Sequence, residues 1–243
     1  MTAPIDQPGA AAECFGIVCL ARTGSSHLVE LLDSHPEIRC YGEVLNLTHG
    51  SDEPGWLGGA ETDNPCAHLD ALLTGPADAT TPTITGVKLP ANSLREHPTV
   101  ASWLADHPRL RMIRLRRINS LAILVSRRLL RATLVSQSTH GDYGDTRVEI
   151  EPLACVRALQ RIESDDAGLD RLAAAHRRFE IAYEELADPA RLADLQRFLG
   201  VAATTLHSRH RRVRTRSFAA TVTNWDQLSS HLATTRFAAM LDE

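Results

Sequence analysis

Apolar positions along the chain fall into two kinds of segment. A continuous apolar run of strand length occurs at residues 15–20 (FGIVCL), and the largely apolar segments 84–89 (ITGVKL), 110–115 (LRMIRL) and 179–183 (FEIAY) read as further strands. Between them the apolar residues recur at helical spacing. Leu28, Leu31 and Leu32 stand at i, i+3 and i+4, with Ser25 or Ser26 placed to cap the start and Pro36 to close the helix. Residues 93–105 read as a helix, and Asn119 as the N-cap of a long one running to about Ser136. After a polar loop at 137–152, residues 153–163 and 169–178 read as two helices, and 192–199 as a third ended by Gly200. Strands alternating with helices predict an α/β fold with a central parallel sheet flanked by helices and ligands at the carboxyl ends of the strands. Residues 49–82 have no clear period and read as an irregular surface excursion, a length of loop that is uncommon unless functional. No repeat and no linker divides the 243 residues, so a single domain is expected, with residues 1–12 disordered.

Composition narrows the class. Apolar residues make up 43% and charged residues 23%, with no apolar run near the ~20 residues that a bilayer requires. No membrane span is expected. Residues 1–12 lack the basic start and apolar stretch of a secretory signal, which makes the cytoplasm the expected location. Five cysteines, Cys14, Cys19, Cys40, Cys66 and Cys155, form no CxxC pair and read as reduced.

The net charge of −4 conceals an uneven distribution. Of 26 basic residues only Lys88 is lysine. Between His107 and Gly141 lie eight arginines (109, 111, 114, 116, 117, 127, 128, 131) with no Asp or Glu, and between His207 and Trp225 five more (209, 211, 212, 214, 216). Two positive segments in an acidic remainder suit a small multiply charged anion or a nucleic-acid groove. The first constellation, Arg22-Thr23-Gly24-Ser25-Ser26, sits between the first strand and helix, where unpaired N–H groups, hydroxyls and a cation make a phosphate cradle. It lacks the GxxxxGK[ST] spacing of a triphosphate loop, which disfavours a nucleotide kinase. In the second, Arg117 ends a strand and Ser126 lies seven residues into the helix capped by Asn119, on the same face as the helix start.

Together these sites resemble the sulfotransferases that use 3′-phosphoadenosine 5′-phosphosulfate, in their carbohydrate-type and bacterial branch. The likeness is carried by RTGSSHLVELLDSHPEIRCYGEVLN and RINSLAILVS, with GVK at 86–88, AYEELADP at 182–189, FLGV at 198–201 and NWDQL at 224–228, over roughly residues 14–230. The resemblance implies a P-loop-like domain that needs no metal. It implies that Arg22, Thr23, Gly24, Ser25, Ser26 and His27 hold the 5′-phosphosulfate and that Arg117 and Ser126 hold the 3′-phosphate. Arg214 or Arg216 would close over the nucleotide. The Arg-to-Ser separation is one residue longer than in many relatives, so Arg116 and Arg117 compete for the phosphate. Glu43, in a GE pair, is the first choice for the base that deprotonates an acceptor hydroxyl, ahead of His27, His35 and His49. Lys88 at a buried strand end requires a partner such as Glu43 or an acceptor anion, and its expected role is to assist the leaving group or the acceptor. The expected acceptor is a carbohydrate, glycolipid or small metabolite, with residues 49–82 and the loop around Tyr143 as candidate contacts, and a homodimer is compatible with the sequence.

The competing reading is a non-catalytic nucleic-acid- or nucleotide-binding module. The two basic segments contain no Tyr and only Phe218 and Trp225 as aromatic platforms, so no nucleic-acid partner is expected. Cys155 to Arg161 has the C-x5-R spacing of a phosphatase loop but lies in a helical pattern without glycine, and the arginines around His207 and His210 disfavour a cation there.

Overall fold

The computed structural model describes residues 13–45, 64–74, 84–135, 141–210 and 216–242. Five strands, β1 (Glu13–Cys19), β2 (Ile38–Tyr41), β3 (Ile84–Pro90), β4 (Arg111–Arg116) and β5 (Arg178–Ala182), form one parallel sheet in the order β2-β3-β1-β4-β5. Helices α1 (Ser25–Asp33), α2 (Pro65–Leu73), α3 (Ala91–Glu96), α4 (Thr99–Asp106), α5 (Ser120–Thr133), α6 (Pro152–Ala174), α7 (Pro189–Leu199), α8 (Phe218–Thr221) and α9 (Trp225–Ala233), with two short 3-10 helices at Tyr183–Glu185 and Ala238–Leu241, complete the described elements. The sheet is an α/β core covered on both faces, as the apolar pattern predicts.

Strand alternation sorts the side chains into two cores. Ile17 and Cys19 of β1 and Ile113 and Leu115 of β4 pack with Leu28, Leu31 and Leu32 of α1 and Leu192, Leu195 and Leu199 of α7. On the opposite face Val18, Val87, Leu89 and Met112 pack with residues of α2, α4, α5, α6 and α9. Each fully buried aliphatic side chain contributes about 1.5–3 kcal/mol. At Gly86, paired with Phe15 in the register, a Cβ would lie 2.3 Å from the Phe15 ring, so the phenyl group fills the place of a side chain there.

Arg114 interrupts this apolar core: it is fully buried on β4 and donates from Nε to Asp170 at 2.9 Å and from Nη2 to Asp166 on α6. A buried guanidinium without such partners would be strongly destabilising. The two carboxylates therefore fix α6 against β4.

Several expectations from the sequence are corrected. The helix read at 93–105 is two, α3 and α4, because His97 precedes Pro98 and takes an extended conformation (φ −124°, ψ 72°). The helices read at 153–163 and 169–178 are one, α6, and Arg178 begins β5; Gly168 is tolerated within the helix. Helix α5 stops at Thr133, where Leu134 turns left-handed (φ 60°), short of Ser136. Within the region read as irregular, Asn64 caps α2 by accepting from the Ala67 N–H, with Pro65 at the first helical position; residues 46–63 and 75–83 lie outside the described residues, as do 1–12.

Candidate anion-binding active site

The chain leaves β1 through α1 on one face of the sheet and leaves the adjacent β4 through α5 on the other. This divergence opens a crevice at the carboxyl ends of the two strands, where parallel sheets bind ligands. The loop between β1 and α1 enters it. Thr23 donates its hydroxyl to the Leu20 carbonyl at 2.7 Å, and Arg22 (φ 75°) and Gly24 (φ 83°) both adopt left-handed backbone. Gly24, rather than Ser25 or Ser26, is the N-cap of α1, with no side-chain cap, so the first-turn N–H groups and the positive end of the helix dipole face the crevice. Glycine is required at 24 twice over. A side chain would be strained at that φ, and its Cβ would lie 2.5 Å from Cδ2 of Tyr183.

Two groups of side chains meet at this loop. In the first, Arg22 donates from Nε to Ser126 Oγ at 3.0 Å and from Nη2 to the Tyr143 hydroxyl at 2.7 Å. Arg117 donates from Nη1 to the Arg22 carbonyl at 3.2 Å while its guanidinium lies 4.7 Å over the Tyr183 ring. The sequence expectation paired Ser126 with Arg117 around one anion; the structure joins both to Arg22. Arg116 points the other way. It bonds Asp170, the same carboxylate that receives Arg114, as alternation at a strand end requires. Burial would raise the Asp170 carboxyl, but the hydrogen bonds from Arg116 and Arg114 outweigh it and hold it below its ordinary range. Of the two competing arginines, Arg117 joins the loop.

In the second group, the Lys88 side chain is fully buried and its Nζ lies 3.2 Å from Glu43 Oε1 and 3.1 Å from Ser26 Oγ. Glu43 keeps 30% of its side chain exposed, so this buried cation has a carboxylate that solvent and substrate can reach. The expected partnership of Lys88 with Glu43 is thus present. Cys19 lies beneath the pair, and burial pushes its thiol up to about 11 against the opposing effects of Lys88 and Ser25. It is unreactive as a nucleophile.

A third arrangement was not foreseen. Glu30 on α1 accepts from Ser208 Oγ at 2.6 Å, from the Arg209 N–H at 2.8 Å and Nε at 2.6 Å, and from the His210 N–H at 3.2 Å. Burial would raise this carboxyl, but these bonds hold it at about 2. His27 contacts Ser208 through Nδ1 at 2.8 Å, and burial and His210 lower its pKa. The beginning of the second basic segment is therefore fastened to α1. Arg214 falls outside the described residues, and Arg216 pairs with the exposed Asp145 at 2.9 Å. Glu30 and Tyr183 lie within segments that carry the resemblance, but nothing in the sequence marked their contacts or those of Asp170, since contacts between residues far apart in sequence leave no local spacing.

No protein-family model matches the sequence, and no curated protein sequence matches it. The fold is similar to that of a sulfotransferase. The crystal structure of a sulfotransferase from Alicyclobacillus acidocaldarius matches with a TM-score of 0.52 at 17% sequence identity, covering 96% of this chain and 95% of that one. At this identity the likeness establishes the sulfotransferase fold and not a branch, donor or acceptor. No helix among the described residues is long and apolar enough to cross a membrane.

Proposed function

We propose that the chain is a sulfotransferase that moves a sulfuryl group from 3′-phosphoadenosine 5′-phosphosulfate to a hydroxyl of a carbohydrate, glycolipid or small-molecule metabolite. The observation that carries the reading is the convergence of Arg22, Arg117, Ser126 and an uncapped helix start at the crevice, beside a buried lysine paired with a partly exposed carboxylate. The first group is a set of donors suited to phosphate oxygens, and arginine binds such oxygens in bidentate fashion.

In this reading Arg117 and Ser126 hold the 3′-phosphate. The backbone of Thr23, Gly24, Ser25, Ser26 and His27 holds the 5′-phosphosulfate, with Arg22 bridging the two ends, and Arg214 or Arg216 covers the nucleotide. Glu43 accepts the proton of the acceptor hydroxyl as its oxygen bonds to sulfur. The bond from sulfur to the bridging oxygen breaks, and Lys88 and the helix start stabilise the charge that develops on the departing phosphate. Alignment and preorganised charge supply the catalysis, as in phosphoryl transfer. No metal is required in this scheme.

The test is transfer of labelled sulfuryl groups from the donor to a panel of sugars, glycolipids and phenols. The wild type should label at least one acceptor and Glu43→Gln should lose that turnover while keeping nucleotide binding. Equal turnover in the two proteins would remove Glu43 as the base, and no labelled product from any acceptor would oppose the reading.

A further inference from the structure

Arg22 presents the Nε and Nη2 edge of its guanidinium to two buried hydroxyls, Ser126 Oγ at 3.0 Å and Tyr143 Oη at 2.7 Å. That edge ordinarily takes two oxygens of one carboxylate or phosphate. Here two neutral oxygens occupy it, 3.4 Å from each other. Each oxygen accepts a proton from Arg22, so each hydroxyl must direct its own proton elsewhere. Among the described residues the only acceptor for either proton is the other hydroxyl. Their separation is well beyond the roughly 2.8 Å usual for such a pair, and the contact can use only one of the two protons. At least one buried O–H group is therefore left over, and a buried donor is costly until an acceptor meets it. Tyr143 is also held in place by contacts other than Arg22. Its side chain belongs to the apolar core that α5 and α6 bury, and its carbonyl accepts from the Thr146 N–H at 3.0 Å. The chain just beyond is fixed by the parallel bridge of Val148 to Val222 and by the pairing of Asp145 with Arg216. Arg117 donates to the carbonyl of the same Arg22, so two guanidinium groups and two hydroxyls are gathered about one loop residue.

We propose that Tyr143 is a further donor-site residue, whose hydroxyl donates to the 3′-phosphate alongside Ser126, and that Arg22 is the positioning residue that turns both protons toward that phosphate. The inference rests on the donor-site reading above and moves Tyr143 from the acceptor contacts expected of its loop to the nucleotide. Arginine can only donate, so its two N–H groups fix both hydroxyls as acceptors on that side and leave their protons for an anion on the other. A phosphate supplies the acceptor oxygens that the pair lacks. Specificity arises because a nucleotide without the 3′-phosphate leaves the buried O–H unmet, whereas one that carries it satisfies both hydroxyls at once.

The test is calorimetric titration of wild type and Tyr143→Phe, each as the full chain, with adenosine 3′,5′-bisphosphate and with AMP. Phenylalanine keeps the ring in the core and removes only the hydroxyl. The bisphosphate should bind Tyr143→Phe about tenfold more weakly, as for a lost hydrogen bond to a charged group, while AMP binds the two proteins alike. An unchanged bisphosphate affinity in Tyr143→Phe would overturn the proposal while leaving the donor site intact. Equal weakening of both nucleotides would also overturn it, because the hydroxyl would then serve only to order Arg22 and its loop. If the wild type itself binds the bisphosphate no more tightly than AMP, the donor-site reading fails and this inference falls with it.

Discussion

Replacing Glu43 with alanine removes the carboxylate 3.2 Å from the Nζ of Lys88, whose side chain is fully buried. Ser26 Oγ, at 3.1 Å, remains as an acceptor. Breaking a buried pair from one side costs about 3–5 kcal/mol. Water can enter the space of a side chain that is 30% exposed, which favours the lower end, about 3 kcal/mol. For a chain of 243 residues that corresponds to a fall in Tm of about 6–12 °C. Lys88→Met leaves Glu43 accessible to water and should cost about 1 kcal/mol. The double variant no longer strands a charge, so it should be more stable than Glu43→Ala alone, with a coupling of about 2 kcal/mol in a double-mutant cycle. Thermal and urea denaturation of the four proteins measures this. Additivity within about 0.5 kcal/mol would refute the claim that the pair is electrostatically dependent.

Two further variants probe the loop and its fastening. Gly24→Ala combines a left-handed φ with a Cβ 2.5 Å from Tyr183, so it should lose about 2 kcal/mol of stability and displace the ring beneath Arg117; a wild-type melting curve would contradict that geometry. Glu30 has a carboxyl depressed from 4.5 to about 2, so its stabilisation is present above pH 4.5 and is lost as pH falls toward 2. After allowance for solvent screening, Glu30→Gln should cost about 2 kcal/mol at pH 7. The difference from wild type should shrink as pH is lowered from 5 toward 2, and a constant difference would show that the carboxylate charge is not responsible.

Much of the fold was legible because four of its five strands are rich in apolar residues over a strand's length and its helices carry strong punctuation, such as Asn119 at the start of α5 and Gly200 at the end of α7, whereas the four-residue edge strand β2 (IRCY) is too short and too polar to stand out. The misread boundaries share one cause. Local spacing does not reveal whether Gly168 interrupts a helix or rides within one, nor whether Pro98 ends a helix or starts another. At the site, the sequence marked the loop 22–27, Lys88 with Glu43, and the Arg117–Ser126 element. It did not reveal that Arg22 would reach Ser126 and Tyr143, because that contact spans more than a hundred residues. The choice between Arg116 and Arg117 depended on Asp170, on a helix whose register against β4 is set by the buried Arg114.

A crevice that binds a nucleotide carrying both a 5′- and a 3′-phosphate must distinguish adenosine 3′,5′-bisphosphate from AMP, and a calorimetric titration with each measures that difference. The bisphosphate should bind at least tenfold more tightly than AMP. Arg117→Ala should erase most of that advantage by weakening the bisphosphate by about 2 kcal/mol, roughly 30-fold, as expected for a lost charge-assisted hydrogen bond. Equal affinities for the two nucleotides would mean that the crevice has no 3′-phosphate site, and an Arg117→Ala protein that still distinguishes them fully would mean that Arg117 does not hold that phosphate.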